Sequence, residues 1–112
     1  MAFTATLEMT NSIAKVTLSG DLDASSAPVF KENVEEAAKQ KAKRLVLMVK
    51  DLAYIASAGI RVLIFAKQKM GASVEIFVVA PQDQIRETLE MTGLQYSVTV
   101  LDEYDAATIE NI

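Results

Sequence analysis

Apolar and polar residues alternate twice near the start of the chain, from Phe3 to Glu8 and from Ile13 to Ser19, with Thr10-Asn11-Ser12 between them. Period-two alternation around turn-forming residues predicts a hairpin of half-exposed strands. The pattern then changes. Ser25-Ser26-Ala27-Pro28 reads as a helix start, and Phe30, Val34, Ala37 and Ala38 follow on one face, predicting a helix from Ala27 to Lys39. Arg44 to Val49 is a nearly continuous apolar run, as in a strand buried on both faces. Ile60, Leu63, Ile64 and Met70 recur at helical spacing, with Gly71 as the stop. Val74 to Val79 predicts another buried strand. Pro81-Gln82-Asp83 then opens a helix carrying Ile85, Thr88, Leu89 and Thr92 along one side, and Gly93 with Leu94 closes it in the manner of a glycine C-cap. Ser97 to Leu101 predicts a last short strand, and Ala106 with Ile109 a final helical turn.

Strands alternating with helices after an opening hairpin define an α/β fold. The expected sheet is mainly parallel with an antiparallel N-terminal edge hairpin, covered by about four helices. No linker or repeat interrupts the pattern, so residues 1–112 are expected to form a single domain.

Composition narrows the function. Apolar residues make up 51% and charged residues 23% of the chain, as in an ordinary globular protein. The balance of 11 basic against 15 acidic residues, a net charge of -4, disfavours direct binding of nucleic acid. There is no histidine and no cysteine, which excludes Ser-His-Asp and Cys-His catalysis, thiol redox chemistry and ordinary zinc ligation. Carboxylate, hydroxyl and amine chemistry remains. The first residues lack the basic flank and apolar stretch of a signal peptide, and no run reaches membrane-spanning length, so a cytoplasmic location without membrane insertion is expected.

The candidate site is the segment from Asp51 to Gly59, where a strand turns through one small polar residue into a helix. Ser57 is expected at the N-cap, and spacing alone leaves it open between plain capping and a site of chemistry. A phosphate there would meet the positive end of the helix dipole. Gly59 is either a packing glycine or a point of close approach to a neighbouring backbone or a partner. Asp21 and Asp23 could orient a hydroxyl, hold a metal or solvate a loop. Arg61 could pair with an acid, anchor a partner or hold a phosphate, and Tyr54 and Ile60 are candidate apolar contacts. The basic run Lys39 to Arg44 suits the carbonyl end of the first helix.

Two stretches resemble the STAS family, the small domains shared by anti-sigma-factor antagonists and the cytoplasmic tails of sulfate transporters. Gly20-Asp21-Leu22-Asp23 is similar to the family's Gly-Glu-Leu-Asp, and Asp51 to Ile60 is similar to its Asp-Leu-Ser-x-Val-x-x-Asp-Ser-Ser-Gly-Leu. Ala56 and Ala58 stand where many members carry Asp and Ser, leaving Ser57 as the only hydroxyl in the loop. The resemblance implies a partner switch without enzymatic activity or cofactor. Its unphosphorylated form binds an anti-sigma factor that is also a serine kinase, phosphorylation at the helix start breaks that complex, and a serine phosphatase restores it. Carried over, the phosphoacceptor is Ser57 and the supporting carboxylate Asp23, with Asp21, Tyr54, Gly59, Ile60 and Arg61 around them. The length suits a free-standing antagonist, and a constitutive scaffold is an alternative role. A receiver-like reading, with Asp21 and Asp23 holding magnesium and Asp51 accepting a phosphoryl group, is the other alternative. Against it, Ile13 to Leu18 alternates like an edge strand, and no lysine follows the last strand.

Overall fold

The two alternating segments form β1 (Thr4–Thr10) and β2 (Ile13–Leu22), paired antiparallel from Thr4 opposite Ser19 to Thr10 opposite Ile13. Asn11 and Ser12 make the turn at positive φ of 51° and 67°, the primed geometry that matches the twist of the flanking strands. The computed structural model describes residues 2–111. From β2 the chain runs through α1 (Ala27–Lys39), β3 (Arg44–Ile55), α2 (Ser57–Met70), β4 (Glu75–Val79), α3 (Asp83–Thr92), a short 3-10 turn, β5 (Thr99–Leu101) and α4 (Ala106–Ile109). The strands lie in the order β1-β2-β3-β4-β5, and every pair after the first is parallel. This is the α/β architecture the pattern predicts, a mixed five-stranded sheet with one antiparallel edge.

Successive residues of β3 enter opposite cores, which is why its first half reads as a continuous apolar run. Leu45, Leu47 and Val49 pack with Phe30 and Val34 of α1, Leu63 of α2 and Leu89 of α3, whereas Val46 packs with Phe77, Val79 and Ile109. The three longer helices therefore cover one face of the sheet, and α4 covers part of the other. β2 is paired on both sides, so its alternation marks one covered face rather than the expected edge position. No helix of the described residues is long and apolar enough to cross a membrane.

Two details depart from the sequence pattern and shape the site. β3 does not stop at Val49 but runs to Ile55, gaining an extra residue relative to β2 at two irregularities. Each shifts the phase of the strand, so Val49, Leu52 and Ile55 all face the helices while Tyr54 turns outward. In α2 the inward stripe is Gly59, Val62, Leu63 and Ala66, with Ile60 buried beside it as its spacing predicts, and Ile64 is 42% exposed. That face is an i, i+3, i+4, i+7 stripe whose first member is a glycine and leaves no hydrophobic mark in the sequence.

The C-terminal turn is strapped down by polar contacts. Asp105 caps α4 by accepting from the Ala107 amide, and the Arg44 guanidinium donates to the carbonyls of Thr108, Ile109 and Asn111. Tyr104 donates to the Glu110 carboxylate; that bond, followed by burial and the carboxylate's charge, pushes the phenol up to about 12.

Candidate functional site

β2 and β3 run parallel and end side by side, with Asp21 opposite Tyr54 and Leu22 opposite Ile55. Each strand turns into a helix there, so the topology brings two strand-to-helix turns to one end of the sheet. The Ala56 amide donates to the Leu22 carbonyl at 2.8 Å and ties the two turns together.

The turn from β2 to α1 is organised by Asp23. Its Oδ1 accepts from the Ser25 amide at 3.0 Å, the Ser25 hydroxyl at 2.8 Å and the Ser26 amide at 3.1 Å. Ser26 reciprocates: its Oγ accepts from the Asp23 amide and donates to the Asp21 carbonyl, both at 2.9 Å. The bond from the Ser25 hydroxyl, then those from the Ser26 amide and hydroxyl, hold the Asp23 carboxyl below its usual range. This carboxylate is engaged with its own loop. The sequence marks Ser25-Ser26 as a cap cluster and leaves Asp23 open between orienting a hydroxyl, holding a metal and solvating the loop; here it accepts from the Ser25 hydroxyl and the loop amides.

The turn from β3 to α2 is organised by close packing. A Cβ on Gly59 would lie 2.7 Å from Leu22 Cγ and 2.8 Å from Ile55 Cγ1, so only glycine lets the first turn of α2 rest on the ends of β2 and β3. Ser57 is not the N-cap; Ala56 is, with extended backbone at φ -89° and ψ 172°, and Ser57 is the first helical residue. At that place no side-chain cap bond is made at the start of α2. Ser57 is exposed and its hydroxyl, among the described residues, makes no hydrogen bond.

Around Ser57 the expected residues separate into three groups. Tyr54 is 44% exposed and Arg61 is exposed, without an ion pair among the described residues. Asp21 and Asp23 are half-buried on the neighbouring turn. Gly59 and Ile60 are buried and position the turn rather than presenting a surface. Ile64, read from its spacing as core, joins Ser57 and Arg61 at i, i+4 and i+7 on the solvent face of α2. Asp51 is exposed four residues before the end of β3, about 13 Å down the strand at the usual rise. A receiver's phosphoacceptor would stand at the strand end. Among the described residues no group of three carboxylates could hold a metal ion.

Residues 4–107 match the sequence model of the STAS domain. One relative, the anti-sigma-F factor antagonist RsfB of Mycobacterium tuberculosis, is 25% identical over 108 residues, covering 96% of this chain and 88% of the relative. The crystal structure of an anti-sigma factor antagonist from Mycobacterium paratuberculosis superposes with a TM-score of 0.85 at 22% identity, over 96% of this chain and 92% of that one. The Bacillus cell fate determinant SpoIIAA in its phosphorylated form gives a TM-score of 0.69 at 19% identity, over 87% of this chain and 90% of that one. SpoIIAA in its unphosphorylated form gives 0.75 at 19%, over 87% of each chain. At these identities the structural likeness establishes the fold.

Proposed function

The chain belongs to the STAS domain family, and from that premise we propose that it is a cytoplasmic anti-sigma-factor antagonist whose binding is controlled at Ser57. The observation that carries the reading is the exposed Ser57 hydroxyl, unbonded among the described residues, at the first position of α2 beside the Asp23 turn. The names of RsfB and of the mycobacterial structure support the partner class.

In the unphosphorylated form, Tyr54, Ser57, Arg61 and Ile64 offer a small mixed surface to an anti-sigma factor with serine kinase activity. In the transfer step Ser57 Oγ attacks the terminal phosphorus of ATP held by the partner, ADP leaves, and the hydroxyl proton passes to a base. The bonds from Ser25 and Ser26 fall on Asp23 Oδ1, and among the described residues no bond joins Asp23 to Ser57, so we assign that base to the kinase. The chain itself catalyses nothing. Phosphorylation adds roughly -1.5 to -2 charges at neutral pH. The start of α2 tolerates that charge because the helix dipole and the free first-turn amides favour it. The fold therefore stands, and the change acts on the partner through repulsion and a blocked contact. A serine phosphatase reverses it.

A constitutive scaffold is the second reading, and Ala58 favours it, since it stands half-buried where the family motif has its second serine. Incubating the chain with source-cell lysate and Mg-ATP, mapping phosphate by mass spectrometry and comparing capture of the anti-sigma factor by wild type, Ser57→Ala and Ser57→Asp separates the two. Phosphate on Ser57, with capture lost only in Ser57→Asp, supports the switch. An unmodified Ser57 in a lysate that phosphorylates other proteins, with equal capture by all three, leaves the scaffold.

A further inference from the structure

At the other end of β3, where the strand begins, an open cavity of about 640 Å³ lies between the C-terminal ends of α1 and α2. Lys41, Lys43 and Lys69 stand on its rim, and no acidic side chain lines it. The floor is apolar: Ala42 and Val74 are buried and Met70 is half-buried. In a chain with more acidic than basic residues, three ammonium groups around one concavity reverse the local sign. Among the described residues none of the three makes a side-chain hydrogen bond or ion pair. Their neighbours differ. The Arg44 guanidinium is held by the carbonyls around α4, and Lys67 Nζ donates to the Val74 carbonyl at 3.4 Å.

The carbonyl ends of two helices account for part of this charge, but not for its arrangement. Lys43 lies beyond α1, immediately before β3. Lys41 sits at φ 58°, with its amide bonded to the Ala38 carbonyl and the Ala42 amide to the Ala37 carbonyl. That is the left-handed position of a helix C-cap, where glycine is the favoured occupant. Here a lysine occupies it and places an ammonium on the rim.

We propose that this groove binds a small anionic ligand carrying at least two phosphate charges on an apolar body. The ammonium groups of the α1–β3 connection and of α2 take the charges, and Ala42, Met70 and Val74 take the apolar part. The volume falls in the range of small-molecule sites, roughly 300–1,000 Å³. An extended acidic polypeptide fits less well, because a net charge of -4 would oppose it beyond the groove. The site is independent of Ser57, which lies at the opposite end of β3.

The test is a titration of the isotope-labelled chain with ADP and with inorganic pyrophosphate at low salt, following backbone amides. Saturable shifts are expected in residues 38–43 and 69–74, with ADP binding more tightly than pyrophosphate because it can also use the apolar floor. Lys43→Gln/Lys69→Gln should weaken ADP binding by roughly tenfold or more, as expected for the loss of charge-assisted bonds. Lys50→Gln, on the far half of β3, should leave it unchanged. All three lysines are exposed, so these variants keep the fold. The proposal is overturned by an absence of saturable shifts at millimolar ADP, by shifts centred on the Ser57 end or spread over all lysines, or by a polyglutamate peptide saturating the groove where ADP does not.

Discussion

Two strand-to-helix turns sit side by side at one end of the sheet, and they are built on opposite principles. The turn from β2 to α1 is held by polar side chains, with Asp23 and Ser26 closing it through reciprocal hydrogen bonds. The turn from β3 to α2 is held by contact between Gly59, Leu22 and Ile55 and by one backbone bond from Ala56 to Leu22. In the first, every hydroxyl is part of the structure. In the second, the structure is complete without the hydroxyl, which leaves Ser57 available for chemistry. A loop held by its own serines would come apart if one were modified, whereas a loop held by a glycine contact would not.

Breaking the packed turn should have the largest effect. Gly59→Val places new atoms within about 3 Å of Leu22 and Ile55. Overpacking of that kind costs about 2 to 3 kcal/mol, read as a lower denaturation midpoint at unchanged slope. Leu22→Ala in the same chain makes room, so the double variant should lose less than the sum of the two single changes. Strict additivity would mean that the glycine contact does not hold this turn.

The polar turn should respond more moderately, and to acid. Ser26→Ala removes the acceptor of the Asp23 amide at a buried site, 9% exposed, which costs about 1 to 2 kcal/mol. Asp23→Asn removes the charge that the loop donors favour. Because the folded state lowers the Asp23 pKa below its ordinary 3.8, the carboxylate's contribution is present in full above that value. It is lost as the pH falls through the lower native one. The stability gap between wild type and Asp23→Asn should therefore shrink as urea titrations move from about pH 5 down to about pH 3. A gap constant over that interval would show that the charge is not what the loop binds.

The contrast between the turns also explains what the sequence could reveal. The order of elements, the span of α1 and the inward faces of α1 and α3 follow from residues whose side chains announce their burial, such as Phe30, Val34, Ile85 and Leu89. The rotation of α2 did not, because its inward stripe begins with Gly59, and Ile64 took the place in the pattern that the glycine left unmarked. The extension of β3 to Ile55 was hidden by two irregularities that replace alternation with a spacing of three, Val49-Leu52-Ile55. Ser57 was legible as a lone hydroxyl at a helix start, but its position one residue inside the helix depends on the backbone angles of Ala56. An alanine in that place carries no sequence signal for capping.

The smallest effect is the most discriminating. Ser57→Ala removes an exposed hydroxyl without a hydrogen bond among the described residues, from a position where alanine is the better helix former. Its stability should stay within about 0.5 kcal/mol of wild type, several-fold less than the loss from Ser26→Ala across the shared end of the sheet. Two serines at adjacent helix starts would then differ in kind, one holding its turn and the other left over. If Ser57→Ala instead costs as much as Ser26→Ala, the hydroxyl is part of the turn after all. A phosphoryl group on Ser57 would then unsettle α2 itself, and the switch would work through the fold rather than through the surface.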